Sequence, residues 1–301
     1  MEGREGEEMR AAFGRRWIGV VLAFLTGVAL VSAVYKLPLA QPAFRQANQL
    51  MEQQFRYAGW EKAASDHFIL SYLPEDEPYA GLVLAEAETV YREFAKQFRF
   101  APQKPVPLVL YAHHEQMQER FGWPASEKAS GVYYGGVIYL LSPRVLLPDT
   151  GAASPGGREL AEWYHHEGPL VHEYTHLYLD MLANNNFPRW YTEGLAQLVE
   201  YEMIGYEWVS LDNRLNQQPL YPFDQLHRDF DKLENVALAY RQSFKWVQFM
   251  KQVHGEEALV RFHQQLARQI PFERAWEEVF GQSLERSYDI WLNEVRKGGS
   301  A

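Results

Sequence analysis

The chain has 301 residues, a formal net charge of −10 and no cysteine. The acidic balance argues against a nucleic-acid surface. The lack of cysteine removes disulfides, thiol catalysis and cysteine-ligated zinc, leaving His, Glu and Asp as the strong metal ligands. An apolar fraction of 47% is ample for the core of one medium domain or two small ones.

Residues 17–35 carry no charge and are mostly Val, Leu, Ala, Ile and Phe, about the length of a membrane-spanning helix. Arg10, Arg15 and Arg16 precede this run, and Lys36 and Arg45 follow it. That bias favours an N-terminus in the cytoplasm and the bulk of the chain outside. Residues 1–36 therefore read as a cytoplasmic tail and signal-anchor transmembrane helix of a single-pass cell-membrane protein. The alternative is a signal peptide cleaved near Ala33, where Val31-Ser32-Ala33 resembles a small-residue cleavage site, giving a secreted protein. The uncharged run is long for a signal peptide's apolar core, so the anchor is preferred. Residues 37–64 read as a juxtamembrane linker. Pro38 and Pro42 suggest an extended start, and 46–57 a helix lying on the membrane or on the domain.

An α/β part follows over 65–142. Residues 67–73 have a strand pattern. Residues 79–98 form an amphipathic helix with Val83, Ala87, Val90 and Phe94 on one stripe. Residues 106–111 are mostly apolar and so a central strand, and 115–121 a short helix. Residues 132–134 and 137–141 flank Gly135-Gly136, a hairpin signal. Residues 142–157, rich in Pro, Gly, Ala and Ser, read as a loop. From 159 to 296 the pattern is helical, with a tail at 297–301. Tyr240, Phe244 and Val247 share one stripe, and Leu284, Tyr288, Trp291 and Val295 another.

The chemistry concentrates in His172-Glu173-Tyr174-Thr175-His176, an H-E-x-x-H sequence inside an apolar helical stripe. Two histidines four apart share a helix face and can reach one zinc ion, while the glutamate between them can address a water on that ion. Pro169 suits the first turn of this helix, and Asn184-Asn185-Asn186 its end. A second helix after Pro188, antiparallel to the first, brings Glu193 back as a third ligand. Three protein ligands leave a fourth position for water, and Glu173 is placed to take its proton and pass it to the leaving amine.

The run 170–200, H-E-x-x-H followed by W-Y-T-E-G-L-A, resembles the peptidase MA-like metallohydrolases of the gluzincin group. Ala239-Tyr240-Arg241-Gln242-Ser243-Phe244 with Gly255 is similar to that family's helix after the metal site. Phe280-Gly281-Gln282-Ser283-Leu284 up to Trp291-Leu292 is similar to its C-terminal helical pair. The resemblance covers roughly 65–296, and its two metal-site segments are the sharp ones. It implies an α+β, zincin-like fold, with a small α/β subdomain carrying a mixed sheet followed by a mainly helical one. It also implies one zinc on His172, His176 and Glu193, with Glu173 catalytic. In this family the last strand before the zinc helix commonly binds the substrate backbone, which would make 137–141 the peptide-binding edge; an ordinary hairpin strand is the alternative. Tyr240, at the start of the following helix, is the candidate oxyanion donor, with a buried core tyrosine as the alternative.

Asp180 or Glu200 would hold a histidine's other nitrogen, with Asp180 preferred. Thermolysin-like enzymes carry a carboxylate four residues after the glutamate ligand, where this chain has Gln197. His165, His113 and His114 are rival ligands, disfavoured by the Gly168-Pro169 break and by exposure. The sequence thus points to a membrane-anchored zinc metallopeptidase acting on a peptide or protein. The alternative is an inactive relative serving as a scaffold or binding domain at the cell surface. An intramembrane protease is a further alternative, but Glu162, His165, His166, Glu167 and Asp180 flank the motif too closely for an apolar span, which favours a catalytic site in solution.

Overall fold

A computed structural model describes residues 38–147 and 157–298. The stretch 17–35 lies outside them, and among the described residues no helix is long and apolar enough to cross a membrane.

The fold is α+β. A five-stranded sheet is built from β1 (Glu61–Ala64), β2 (Phe68–Tyr72), β3 (Val106–Tyr111), β4 (Gly131–Tyr134) and β5 (Val137–Leu141), in the order β1-β2-β3-β5-β4. The sheet is mixed: β2, β3 and β5 run parallel, and β1 and β4 pair antiparallel at the two edges. β3 is central, and its six residues are all buried, as expected of an apolar strand covered on both faces. Leu108 and Leu110 enter the main core, while Val109 and Tyr111 pack on the other face with Tyr57 and Met117.

Two elements depart from the sequence reading. β5 is not an edge. It lies between β3 and β4, and β4 is the outer strand on that side. The hairpin forms as expected, with Gly135 (φ 55°) and Gly136 (φ 83°) supplying the two left-handed positions of a tight turn. Folding back from it puts β5, rather than β4, beside β3. The stretch read as linker supplies β1 and helix α1 (Gln41–Met51), which continues as a π-helical turn over Glu52–Arg56; the helix expected at 46–57 forms but begins earlier, and the extended start expected at Pro38 and Pro42 is instead a 3-10 turn, Pro38–Ala40, running into α1. Glu-Lys-Ala-Ala carries no apolar alternation, so β1 had no strand signal of its own; pairing with β2 creates it.

Helix α2 (Glu77–Phe98) covers the sheet through Val83, Ala87, Val90 and Phe94, all buried. Short α3 (His114–Phe121) follows β3, and α4 (Pro143–Leu146) breaks the expected loop, capped by Ser142. The helical half comprises α5 (Gly157–Glu167), α6 (Leu170–Ala183), α7 (Arg189–Ile204), α8 (Phe223–Arg228), α9 (Val236–His254), α10 (Glu256–Ala267), α11 (Phe272–Phe280) and α12 (Leu284–Arg296). Its core is aromatic: Trp190 stacks on Trp246 at 3.9 Å between ring centroids, with Trp276 and Phe272 around them.

Candidate metal centre

Helices α6 and α7 build the site. Gly168-Pro169 separates α6 from α5; a side chain at Gly168 would lie 2.3 Å from the Tyr164 carbonyl oxygen. α6 ends at Asn184 (φ 50°), a left-handed cap whose N–H donates to the Asp180 carbonyl. The chain then reverses, and Pro188 leads into α7.

His172 and His176 lie one turn apart on α6, their ring centroids 4.8 Å from each other. Glu193 of α7 faces both. Its Oε2 is 3.2 Å from His172 Nε2 and 3.5 Å from His176 Nε2. The other ring nitrogens are occupied. His172 Nδ1–H donates to Glu200 Oε2 at 2.9 Å, and His176 Nδ1 is bonded to Thr192 Oγ1 at 2.7 Å. Each imidazole is therefore fixed with Nε2 facing its partners, the orientation that outer hydrogen bonds impose on metal-binding histidines. One ligand atom from each of His172, His176 and Glu193 falls within 4.8 Å of the others, and Glu193 is buried.

The charges also fit a cation. Glu173, Glu193 and Glu200 surround the two imidazoles; Arg189 pairs with Glu193, its Nη2 being 3.0 Å from Oε1, and shares its charge with Asp231 at 3.5 Å. With neutral imidazoles the carboxylates outnumber the guanidinium, an excess of negative charge that a divalent ion would reduce. Without metal, protons do that work. Burial opposes charge on His172, but the Glu200 charge and the bonds to Glu193 and Glu200 raise its pKa well above the ordinary value. Burial likewise acts against ionised Glu193, yet His176, Arg189 and His172 hold it well below the usual carboxylate range.

Glu173 is buried beside the group, and burial raises its pKa against the opposing pull of the two histidines. Its side chain packs on Gly131 of β4, where a Cβ would come within 2.8 Å of Glu173 Cγ. Tyr240 of α9 lines the same cavity, of about 390 Å³, with Trp123, Val132 and Phe230. Arg189 Nη2 lies 3.5 Å from the Tyr240 hydroxyl. Burial, then the Glu193 charge, pushes the Tyr240 phenol further up, so it stays a proton donor.

Of the two carboxylates proposed to support a histidine, Glu200 is the one that does. Asp180 instead accepts from Arg45 at 3.0 Å and from the Tyr133 hydroxyl. The rival histidines are engaged elsewhere: His165 with Glu86 at 2.9 Å and His113 with Glu75 at 3.2 Å, while His114 opens α3. Arg189, Thr192 and Gly131 were missed. Arg189 and Thr192 were findable, since they precede Glu193 by four residues and by one on its helix; Gly131 carried no signal.

Among curated proteins none matches the chain. A family model of the peptidase MA superfamily matches residues 87–297, from within α2 to the end of α12, and so includes β4, both metal helices and Tyr240. The chain belongs to the peptidase MA superfamily and carries a metallopeptidase-like domain.

Proposed function

We propose that this protein is a zinc-dependent peptidase of the gluzincin type, with His172, His176 and Glu193 as zinc ligands. The observation that carries the reading is the pair of imidazole Nε2 atoms facing a buried glutamate, with both Nδ1 atoms held from behind. Two imidazoles and one carboxylate are a donor set suited to catalytic zinc, with room left for a water. When bound, zinc supplies Lewis acidity toward the scissile carbonyl and makes water a nucleophile near neutral pH.

The remaining roles belong to the chain. Glu173 is the general base. Burial raises its pKa toward the working range of such a group, and it lies beside the ligands without being one of them. Having taken the proton, Glu173 delivers it to the leaving amine. Tyr240 donates a hydrogen bond to the developing oxyanion. The outer edge of β4 pairs with the substrate backbone by strand addition. Residues 17–35 anchor the protein in the cell membrane, with the N-terminus in the cytoplasm and the peptidase domain outside, because the arginines precede the apolar run.

The test is cleavage of an unfolded protein by zinc-loaded full-length chain, beside Glu173→Gln. Turnover should fall by about 10²–10⁴-fold in the variant, the usual contribution of a general base. Equal cleavage by both would rule out the assigned chemistry. No cleavage by either would leave a binding or scaffold domain.

A further inference from the structure

The outer edge of β4 is short, and helix α1 closes one end of it. Leu141 N–H donates to the Ser130 carbonyl at 2.8 Å, and the β4–β5 register continues Gly131↔Leu140, Val132↔Tyr139, Tyr133↔Ile138 and Tyr134↔Val137. Antiparallel pairs alternate between hydrogen-bonded and non-hydrogen-bonded positions. Val132 and Tyr134 therefore turn their main-chain groups to β5, while Gly131 and Tyr133 turn theirs outward. The Tyr133 N–H is bonded to Glu173, so pairing with a substrate falls to the Tyr133 carbonyl and to Gly131.

The next outward position is Gly135, and it is taken. Asn48 Nδ2 donates to the Gly135 carbonyl at 3.1 Å, and Gln49 Nε2 to that of Gly136 at 2.8 Å. The Phe44 ring meets Tyr134 edge-on at 5.9 Å. α1 is itself pinned to the catalytic helix: the Arg45 guanidinium bonds Asp180 Oδ1 at 3.0 Å and Asn184 Oδ1 at 2.9 Å. The same Asp180 accepts from the Tyr133 hydroxyl, so α1, α6 and β4 meet at one buried carboxylate. The space left on this side of His176, lined by Phe44, Tyr133 and Phe187, is about 180 Å³. At the opposite end, beside Lys128, Tyr206 and Trp208, the cleft opens to about 640 Å³.

A peptide pairing antiparallel with β4 runs from the α1 end toward Gly131, and its amino-terminal part lies against α1. We infer that α1 is a stop at the amino-terminal end of the cleft, so that the substrates are peptides with one or two residues ahead of the scissile bond and the enzyme trims chains from the amino end. This rests on the peptidase reading above and narrows its substrate class. Selection is by length: Asp180, the carboxylate at this end, is already engaged by Arg45 and Tyr133.

The experiment maps, by mass spectrometry over time, the cuts made in a set of long peptides of varied sequence. It uses zinc-loaded full-length chain, Glu173→Gln as the inactive control, and the double variant Phe44→Ala/Asn48→Ala, whose thermal midpoint is checked against the parent. The parent should cut at the first or second bond from the amino end, with internal bonds slower by about tenfold or more. The double variant should move the cuts inward. Internal cuts by the parent as fast as terminal ones, or trimming from the carboxyl end, would overturn the inference while leaving the peptidase intact. No cleavage by the parent at any bond would remove the peptidase reading, and this inference with it. Should the double variant not fold, the parent's map alone decides.

Discussion

Tyr240 and Glu200 show how single side chains acquire roles here. Tyr240 faces the cavity that Glu173 and Glu193 also line, and burial keeps its phenol protonated. If it serves the oxyanion, Tyr240→Phe should lower turnover by about 10²-fold with zinc still bound, as for loss of a single oxyanion donor. Unchanged turnover, measured with metal content, would return it to the core. Glu200 supports His172 because α7 runs antiparallel to α6, so that the residues after Thr192 run back toward His172; Glu200 lies eight residues after Thr192, whereas His172 lies four before His176. The direction was legible once two antiparallel helices were assumed, but not the residue. Asp180 was preferred because it lies one turn beyond His176. Arg45 claims it from 135 residues away, a partner that no local pattern announces.

At the scale of elements, the spacing between helices sets the site. α9 lies close along α7 because Gly194 has no side chain; a Cβ there would come within 2.5 Å of the Ser243 carbonyl oxygen and 2.9 Å of Val247 Cγ2. Gly194 follows the proposed ligand Glu193, and Ser243 lies one turn beyond Tyr240, so this contact also sets how far Tyr240 stands from the centre. Gly194→Ala should destabilise the protein by about 1–3 kcal/mol through overpacking and lower activity, read by denaturant unfolding and a turnover assay. An unaltered midpoint would mean that α7 and α9 can separate freely. The main helices and strands were legible from their periodicity, 106–111 to the residue. β1 was not, because Glu61–Ala64 becomes a strand only through its neighbour, and the position of β5 inside the sheet depends on which strand meets β3.

Across the whole molecule, α10 locks the back of the metal helices through one buried histidine. His263 Nδ1 bonds the Tyr178 hydroxyl of α6 at 3.0 Å, and its Nε2 the Tyr191 hydroxyl of α7 at 2.7 Å. Burial lowers its pKa from 6.5 to about 4. The folded state therefore holds it neutral where the unfolded chain would bind a proton. Its contribution is fully present above pH 6.5, declines as the pH falls below that value, and is lost below about 4, with a total of about 3 kcal/mol. Denaturant unfolding of the metal-free protein between pH 7 and 4 should show this decline, and His263→Gln should flatten it. A variant with the parent's pH slope would show that the histidine titrates alike in both states.

His172, His176 and Glu193 are proposed to hold one catalytic zinc. Metal content of the purified full-length chain, measured by elemental mass spectrometry beside Glu193→Ala, tests it most directly. About one zinc per chain is expected in the parent, lost or much weakened in the variant. No zinc in the parent, even after zinc is supplied, would contradict it.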